Sequence, residues 1–135
     1  MKKYLIDTHI AIWALQNSNK LSSRIKDILE DESVEIFISQ VSLYEIAIKQ
    51  KLGKLPEVKL SIEDLVIEFE LIDFQIMPIE NEHINAYSLI DLIEDHRDPF
   101  DRLIIATALD ENMPVISADE KFKNYQSQIQ LIDNQ

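Results

Sequence analysis

Short apolar runs that end at a polar residue recur along the chain, and longer stretches with helical spacing separate them. The runs lie at 4–6, 34–38, 74–79 and 114–117, and a fifth lies at 129–132. Runs of this length between polar residues are typical of buried parallel strands. The pattern therefore predicts four strands and a fifth at the edge of the same sheet.

The intervening stretches predict helices with recognisable ends. Ser22 or Ser23 caps the second helix, Ser39 caps the third, and Gly53 marks the end of the third. Strands and helices alternate with no linker or repeat between them, which predicts one α/β domain over 1–135 with a mainly parallel sheet covered on both faces. The predicted helices run through 10–15, 25–29, 41–48, 61–71, 82–93 and 99–111.

The segment from Asp98 onward has the features of a helix start that holds two acids. Asp98 is a good N-cap, Pro99 fits the first helical position, and Asp101 falls close to the positive end of the helix dipole. The residues behind them are nearly all apolar, so this helix is expected to be buried. An acid at the mouth of a buried helix indicates a bound group, and the alternative is that both acids only cap the helix.

Composition narrows the possible functions. The chain has 135 residues with 25 acids against 13 bases, a formal net charge of −12. Such a surface repels nucleic acid in general, because phosphate contacts depend on Lys and Arg, and it favours a basic protein partner. The absence of cysteine excludes disulfides, thiolate metal sites and a Cys nucleophile. A single glycine excludes a Walker loop and a dinucleotide fingerprint.

We expect no targeting signal in the first residues of this sequence. The apolar run before Asp7 is too short for a secretion signal, and no segment approaches the ~18 apolar residues of a membrane span. We therefore expect a cytoplasmic protein without membrane contact.

Four acids share a position relative to the predicted strands. Asp7 follows the first strand, Asp119 follows the fourth, Asp101 opens the helix before the fourth, and Glu45 lies in the helix after the second. The carboxyl ends of parallel strands form the binding crevice of open sheets, so these acids are expected to converge there. Clustered carboxylates repel one another and are collected only around a cation.

Oxygen ligands favour Mg²⁺ or Mn²⁺ over zinc, and the natural chemistry of such a site is hydrolysis of a phosphodiester by activated water. In this hypothesis Asp7 and Asp101 hold the metal directly, and Asp119 holds it directly or through water. Glu45 completes the coordination or orients the attacking water.

Each acid also has a purely structural interpretation. Asp7 can be the N-cap of the next helix, and Asp119 can be a turn residue. Glu45 can form a capping box with Ser42 or an i,i+4 pair with Lys49, and the latter is worth only ~0.2–0.5 kcal/mol on a helix surface.

Other residues near the acids are candidates for substrate contacts. Thr8 can bond a water or cap, and His9 can touch substrate or be an ordinary histidine. Arg102 can hold the scissile phosphate or form a surface salt bridge. The three histidines, His9, His83 and His96, show no spacing typical of metal ligands.

The sequence resembles the PIN-domain nucleases and, within them, the VapC-like toxins of bacterial toxin–antitoxin pairs. Order and spacing fit over essentially the whole chain. The stretches that carry the resemblance are 5–9 (Leu-Ile-Asp-Thr-His), 39–46 (Ser-Gln-Val-Ser-Leu-Tyr-Glu-Ile), 98–102 (Asp-Pro-Phe-Asp-Arg), 106–108 (Ala-Thr-Ala) and 115–119 (Val-Ile-Ser-Ala-Asp).

This resemblance implies a three-layer α/β/α sandwich, Mg²⁺ or Mn²⁺ dependence and endonucleolytic cleavage of RNA. It also implies a homodimer that an antitoxin from the neighbouring gene holds inactive, and the acidity of the chain suits a basic antitoxin tail. By position the family's acids fall on Asp7, Glu45, Asp101 and Asp119, and Ser117 stands where the family often has Thr or Ser. Local RNA contacts then fall to Lys49, Lys51, Arg97 and Arg102.

Other function classes fit less well. A phosphoacceptor signalling domain needs paired acids after the first strand and an Asp at the end of the third, where this chain has Pro78, Ile79 and Glu80. A haloacid-type phosphatase needs a second acid at the position of His9. A PIN-fold RNA-processing nuclease without an antitoxin and a non-catalytic PIN-fold interaction domain stay open as alternatives.

Overall fold

The computed structural model describes residues 1–93 and 98–135 and contains a parallel sheet. Within these residues the sheet has five strands in the order β3-β2-β1-β4-β5, and all neighbouring pairs are parallel. β5 lies at the edge, as predicted. The strands are β1 (Lys2–Ile6), β2 (Val34–Ser39), β3 (Phe74–Met77), β4 (Val115–Ser117) and β5 (Leu131–Asp133).

Helices connect the strands, the caps predicted at Ser22, Ser39 and Asp98 are in place, and Ser61 is a further cap. The side chains of Ser22, Ser39, Ser61 and Asp98 each accept a hydrogen bond from a backbone N–H of the first turn. In the described residues, none of the helices is both long enough and apolar enough to cross a bilayer. The helices are α1 (Thr8–Leu15), α2 (Ser23–Glu30), α3 (Gln40–Lys51), α4 (Ile62–Leu71), α5 (Asn81–Ala86) and α6 (Pro99–Glu111), and 3₁₀ turns span Tyr87–Leu89 and Glu120–Tyr125.

The sheet is buried on both faces because its strands are apolar on both sides. Tyr4 and Ile6 of β1 belong to one hydrophobic cluster, which also contains buried residues of α1, α2 and α4. Leu5, between them, belongs to a second cluster with the buried residues of α6. Alternate side chains of a strand point to opposite faces, so the two clusters lie on the two sides of the sheet. The three-layer α/β/α arrangement is confirmed.

The helix predicted at 82–93 is shorter in the structure. α5 ends at Ala86, and after the 3₁₀ turn the backbone makes tertiary contacts instead of helical ones. Gln128 donates from Nε2 to the carbonyl oxygen of Leu89 (2.7 Å) and accepts from the Asp91 N–H (2.8 Å). These bonds satisfy groups that would otherwise continue the helix, and they depend on a residue far away in the sequence.

Two strand boundaries also differ from the prediction. β3 ends at Met77 rather than 79, because Pro78 has no N–H to donate. β5 begins at Leu131 rather than 129, because the Ile129 N–H donates to the carbonyl of Tyr125 (3.0 Å).

Gly53 supports one prediction about stability. Its φ of +71° is left-handed, and an added Cβ would meet no atom within 4 Å. Gly53→Ala is therefore expected to lower the free energy of unfolding by about 1 kcal/mol through backbone strain alone. Gly53→Asn should lower it less, because Asn tolerates this conformation better. Urea unfolding of the three proteins measures both effects, and equal losses in the two variants would contradict a backbone cause.

Candidate functional site

The gap between β1 and β4, at their carboxyl ends, is where the structure brings several acids together. The chain continues from β1 to β2 on one side and returns to β4 on the other side of β1. Open α/β sheets bind ligands at such a reversal of strand order. Asp7 follows β1 and Asp119 follows β4 by two residues, so both are placed at this crevice.

Asp7 is the buried acid of the site, with 4% of its surface exposed. Its Oδ1 accepts the Ile10 N–H (2.9 Å), so it is the N-cap of α1, and its Oδ2 accepts a short hydrogen bond from the Ser117 hydroxyl. Burial raises the pKa of Asp7 to about 6. The two hydrogen bonds lower this pKa, and the charges of Asp119 and Glu45 raise it further. The capping interpretation therefore holds at this residue, and two of the other three acids, Asp119 and Glu45, are close enough for their charges to act on it.

Ser117 connects Asp7 to Asp119. Its hydroxyl donates to Asp7 and accepts the Asp119 N–H (3.0 Å), and the side chain is buried at the end of β4. Asp119 itself is exposed and accepts the Lys121 N–H (2.9 Å), so it also caps the following 3₁₀ turn. Ser117 thus fixes the orientation of one acid and the backbone of the other.

Glu45 is the second buried acid, with 3% of its surface exposed. Its Oε1 accepts the Thr8 hydroxyl (2.7 Å), and its Oε2 lies 2.7 Å from the Lys49 ammonium group. The Thr8 hydroxyl also bonds the Ser42 hydroxyl (2.9 Å). The i,i+4 pair predicted for Glu45 and Lys49 is present. The capping box is not formed, because Ser39 caps α3 and Ser42 already lies inside the helix.

Asp98 and Asp101 approach the same region from the start of α6. Asp98 accepts the N–H groups of Phe100 (2.9 Å) and Asp101 (3.3 Å), as expected of an N-cap. Burial lowers the pKa of Lys49, but the hydrogen bond and charge of Glu45, together with the charges of Asp98 and Asp101, raise it overall. The Lys49 ammonium group therefore contacts buried Glu45 and also feels the charges of Asp98 and Asp101.

The four acids lie in the same region, but they do not form a compact set of metal ligands. Within the described residues, no three of Asp7, Glu45, Asp101 and Asp119 bring ligand atoms within 4.8 Å of one another. Carboxylates repel one another, so a closer approach is unfavourable without a cation. The donors still fit a hard divalent cation, because they are oxygens without sulfur and because the charged form of buried Asp7 is disfavoured unless a cation compensates it.

In the described part of the chain, a different group of potential metal ligands does lie close together. One ligand atom from each of His83, Asp110 and Glu111 lies within 4.8 Å of the other two. The His83 Nδ1 accepts the Glu80 N–H (3.0 Å), so in the neutral ring the proton is on Nε2, which lies 2.7 Å from Glu111. Binding a metal at Nε2 would require that proton to leave. The geometry therefore favours a structural link between α5 and α6.

The remaining predicted substrate residues lie in different surroundings. Thr8 is buried against Glu45, whereas His9 is exposed one residue further and its ring lies 5.9 Å from that of Trp13. Lys51 is exposed at the end of α3. Arg97 and His96 lie outside the described residues.

Arg102 is buried, with 5% of its surface exposed, and the surface salt bridge proposed for it is wrong. Its Nε donates to the Tyr87 hydroxyl (3.2 Å), and its Nη1 donates to the Tyr125 hydroxyl (2.9 Å) and to the carbonyl of Asp91 (3.2 Å). The guanidinium also lies over both tyrosine rings, at 5.1 Å and 5.9 Å. These contacts hold α6 against the segment after α5.

The structure makes three residues prominent for which the sequence predicted no such contacts: Tyr87 and Tyr125 had no assigned role, and Ser42 was considered only as a capping partner of Glu45. Ser42 is fully buried beside Thr8, and a signal for it was available in its position one turn before Glu45 on the same helix. Tyr87 and Tyr125 bind Arg102, but nothing in their sequence spacing connects them to that residue.

The comparisons with known proteins agree with this architecture. The PIN domain family matches residues 4–127. Among solved structures, the chain is similar to DNA-bound VapBC from Salmonella typhimurium, with 19% identity, a TM-score of 0.69 and 98% of each chain covered. VapBC2 from Rickettsia felis, bound to a DNA fragment from their promoter, matches with 18% identity and a TM-score of 0.66, covering 97% of this chain and 98% of that one.

VapBC-5 from Mycobacterium tuberculosis matches with 18% identity and a TM-score of 0.61, covering 98% of this chain and 99% of that one. No curated protein sequence matches the chain significantly. At these identities the structural likeness shows the fold alone. The family match spans nearly the whole sequence, and the chain therefore belongs to the PIN domain family.

Proposed function

We propose that this protein is a metal-dependent endoribonuclease and the toxin of a VapBC-like toxin–antitoxin pair. The observation that carries the proposal is Asp7, a buried carboxylate with a pKa of about 6 at the crevice between β1 and β4, beside Glu45 and Asp119. Burial of an uncompensated acid is costly, so a site built around one is expected to bind a cation. PIN domain membership supports a nuclease function for such a site.

The metal, Mg²⁺ or Mn²⁺, is held in this proposal by Asp7, Asp101 and Asp119. When bound, it would act as a Lewis acid that stabilises charge on the phosphoryl oxygens and makes water a better nucleophile. Ser117 orients Asp7 by donating to Oδ2, so that this carboxylate keeps one direction while it ligates. Glu45 completes the coordination or orients the attacking water in this proposal, and the Thr8 hydroxyl fixes its Oε1. In this proposal His9, which is exposed two residues after Asp7, contacts the RNA.

The partners in this proposal are RNA, a second copy of the chain in a homodimer, and an antitoxin protein with a basic tail. Structures similar to this chain include a toxin–antitoxin complex from Klebsiella pneumoniae, which supports an antitoxin partner. A formal charge of −12 favours association with a basic segment and disfavours general RNA binding. Cleavage is therefore expected to be selective, and a cytoplasmic location follows from the substrate.

Cleavage of structured RNA by the purified protein tests the proposal. We expect cutting with Mg²⁺ or Mn²⁺, none with EDTA, and loss of cutting in Asp101→Asn. Asp98→Asn is the matched control: it lies three residues away and Asn is an equally good N-cap, so this variant should still cut. Cutting that persists in Asp101→Asn or in EDTA would contradict the assignment. Metal binding without cutting of any RNA would favour a non-catalytic interaction domain.

A further inference from the structure

Lys49 occupies a position among the acids that the proposed reaction does not yet use. Its side chain is about one-third exposed, and its ammonium group lies 2.7 Å from Oε2 of Glu45, whose side chain is 4% exposed. The charges of Asp98 and Asp101 also act on it. A cation in contact with a buried acid and near two further acids is in the place where a bound metal or a phosphate would approach.

Both carboxylate oxygens of Glu45 already have a donor. Thr8 donates to Oε1 and Lys49 donates to Oε2, each at 2.7 Å. Charge-assisted hydrogen bonds to an ionised carboxylate are about twice as strong as neutral ones. Asp7 also has a donor on each oxygen, but both of those donors are uncharged. A metal bound at Oε2 of Glu45 would lie close to the Lys49 ammonium group, and repulsion between the two positive charges disfavours Glu45 as a direct ligand.

We infer that Lys49 is the built-in cation of the acid site: it neutralises Glu45, keeps this carboxylate out of direct metal coordination, and presents its ammonium group to a phosphate of the RNA. The inference rests on the proposed function and assigns a phosphate contact within it. Lys49 is then a substrate-binding residue, and Glu45 is the positioning residue that holds it.

The net charge gives this contact particular weight. A chain at −12 lacks the general positive surface that draws nucleic acid, so a phosphate depends on individual cations close to the acids. Lys49 is suited to this role because Glu45 holds its ammonium group at the site, while an ammonium has three donors and the side chain is about one-third exposed. Glu45 precedes Lys49 on α3, which is the favourable order for such a pair along a helix.

Two affinities test the inference, and Lys49→Met should move them in opposite directions. Mn²⁺ affinity of the RNA-free protein, measured by calorimetry, should rise roughly three- to tenfold, because a positive charge near the metal is removed. Affinity for a non-cleavable 2′-O-methyl RNA 12-mer with Mn²⁺ should fall roughly fivefold, and the slope of log affinity against log salt should decrease by about 0.7.

The controls separate a phosphate contact from a structural ion pair. Lys54→Met removes an exposed lysine beyond α3 and should leave both affinities unchanged. Lys49→Arg keeps the charge and should retain most of the 12-mer affinity. Glu45→Gln should reduce Mn²⁺ affinity much less than Asp101→Asn does, since Glu45 is not a direct ligand here.

Specific outcomes would overturn the inference. If Lys49→Met loses stability but keeps the 12-mer affinity and its salt slope, Lys49 is only a counter-ion of Glu45. If Glu45→Gln loses as much Mn²⁺ affinity as Asp101→Asn, Glu45 is a direct ligand. In both cases the wild type still binds Mn²⁺ and cuts RNA, so the proposed function survives. A wild type that binds no Mn²⁺ would instead refute the proposed function itself.

Discussion

Asp7→Asn is expected to abolish RNA cleavage and, in the absence of metal, to make the protein more stable than the wild type. Burial raises the pKa of Asp7 from 3.8 to about 6, so the folded state disfavours its charged form. A shift of about two pH units corresponds to roughly 3 kcal/mol. Asn carries no charge, keeps an oxygen for the Ile10 N–H, and places its amide beside the Ser117 hydroxyl, which can accept from it.

The pH dependence follows from the direction of the shift. Because the folded pKa is above the unfolded one, the wild type loses stability as pH rises from about 4 to about 6, and the full penalty applies above pH 6. In urea unfolding with EDTA, the free energy of unfolding of Asp7→Asn should therefore exceed that of the wild type by about 2–3 kcal/mol at pH 8 and by little at pH 4. The rate of cleavage should fall at least about a hundredfold. Mutating a residue that only hydrogen-bonds to a metal ligand typically lowers metal affinity or activity 10- to 100-fold, and Asp7 is proposed as a ligand itself.

Asp119→Asn is the matched control for stability. It removes an acid from the same site, but one that is exposed, so unfolding in EDTA should change little at either pH. An Asp7→Asn protein that is less stable than the wild type at pH 8 would contradict the interpretation of Asp7 as a strained buried charge. The same result would remove the main support for a cation site at this position.

Arg102→Met is expected to lower the free energy of unfolding by about 2–4 kcal/mol. The guanidinium is buried and donates to Tyr87, Tyr125 and the carbonyl of Asp91. Removing it leaves these acceptors without their donor, and it also removes two cation–π contacts. Because methionine fills most of the apolar volume of the arginine stem, the loss reports mainly on the polar contacts.

Urea unfolding at neutral pH measures this effect. Arg24→Met, which replaces an exposed arginine on α2, should change stability by less than about 0.5 kcal/mol. Arg102→Lys should recover only part of the loss, because an ammonium cannot reproduce the planar arrangement of donors. Near-wild-type stability combined with loss of RNA cleavage in Arg102→Met would instead assign Arg102 to the substrate, as the sequence alone allows.

The comparison of Asp98 with Arg102 explains how much the sequence could predict. The cap at Asp98 depends on residues within three positions, and local hydrogen bonding is readable from local sequence. The strand ends that carry Asp7 and Asp119 were also predictable, because short apolar runs stop there. The crevice then follows from the general behaviour of parallel sheets, without any detail of packing.

The environment of Arg102 depends on Tyr87 and Tyr125, which reach it from two other segments. No periodicity links these positions, so a phosphate contact and a surface pair were the natural expectations. The early end of α5 has the same origin, because Gln128 replaces the helical partners of the backbone near Leu89. Contacts between segments that are far apart in the chain determine both features, and local sequence patterns do not predict such contacts.

The position of β4 in the sheet has a consequence for the timing of activity during synthesis. β4 pairs with β1, yet it is made more than a hundred residues later. Until Val115–Ser117 has left the ribosome, Asp7 lacks its bond from Ser117 and the crevice has only one wall. A nascent chain that carries Asp7, Glu45 and even Asp101 therefore still lacks part of the proposed metal site, which is complete only once β4 and Asp119 have been made.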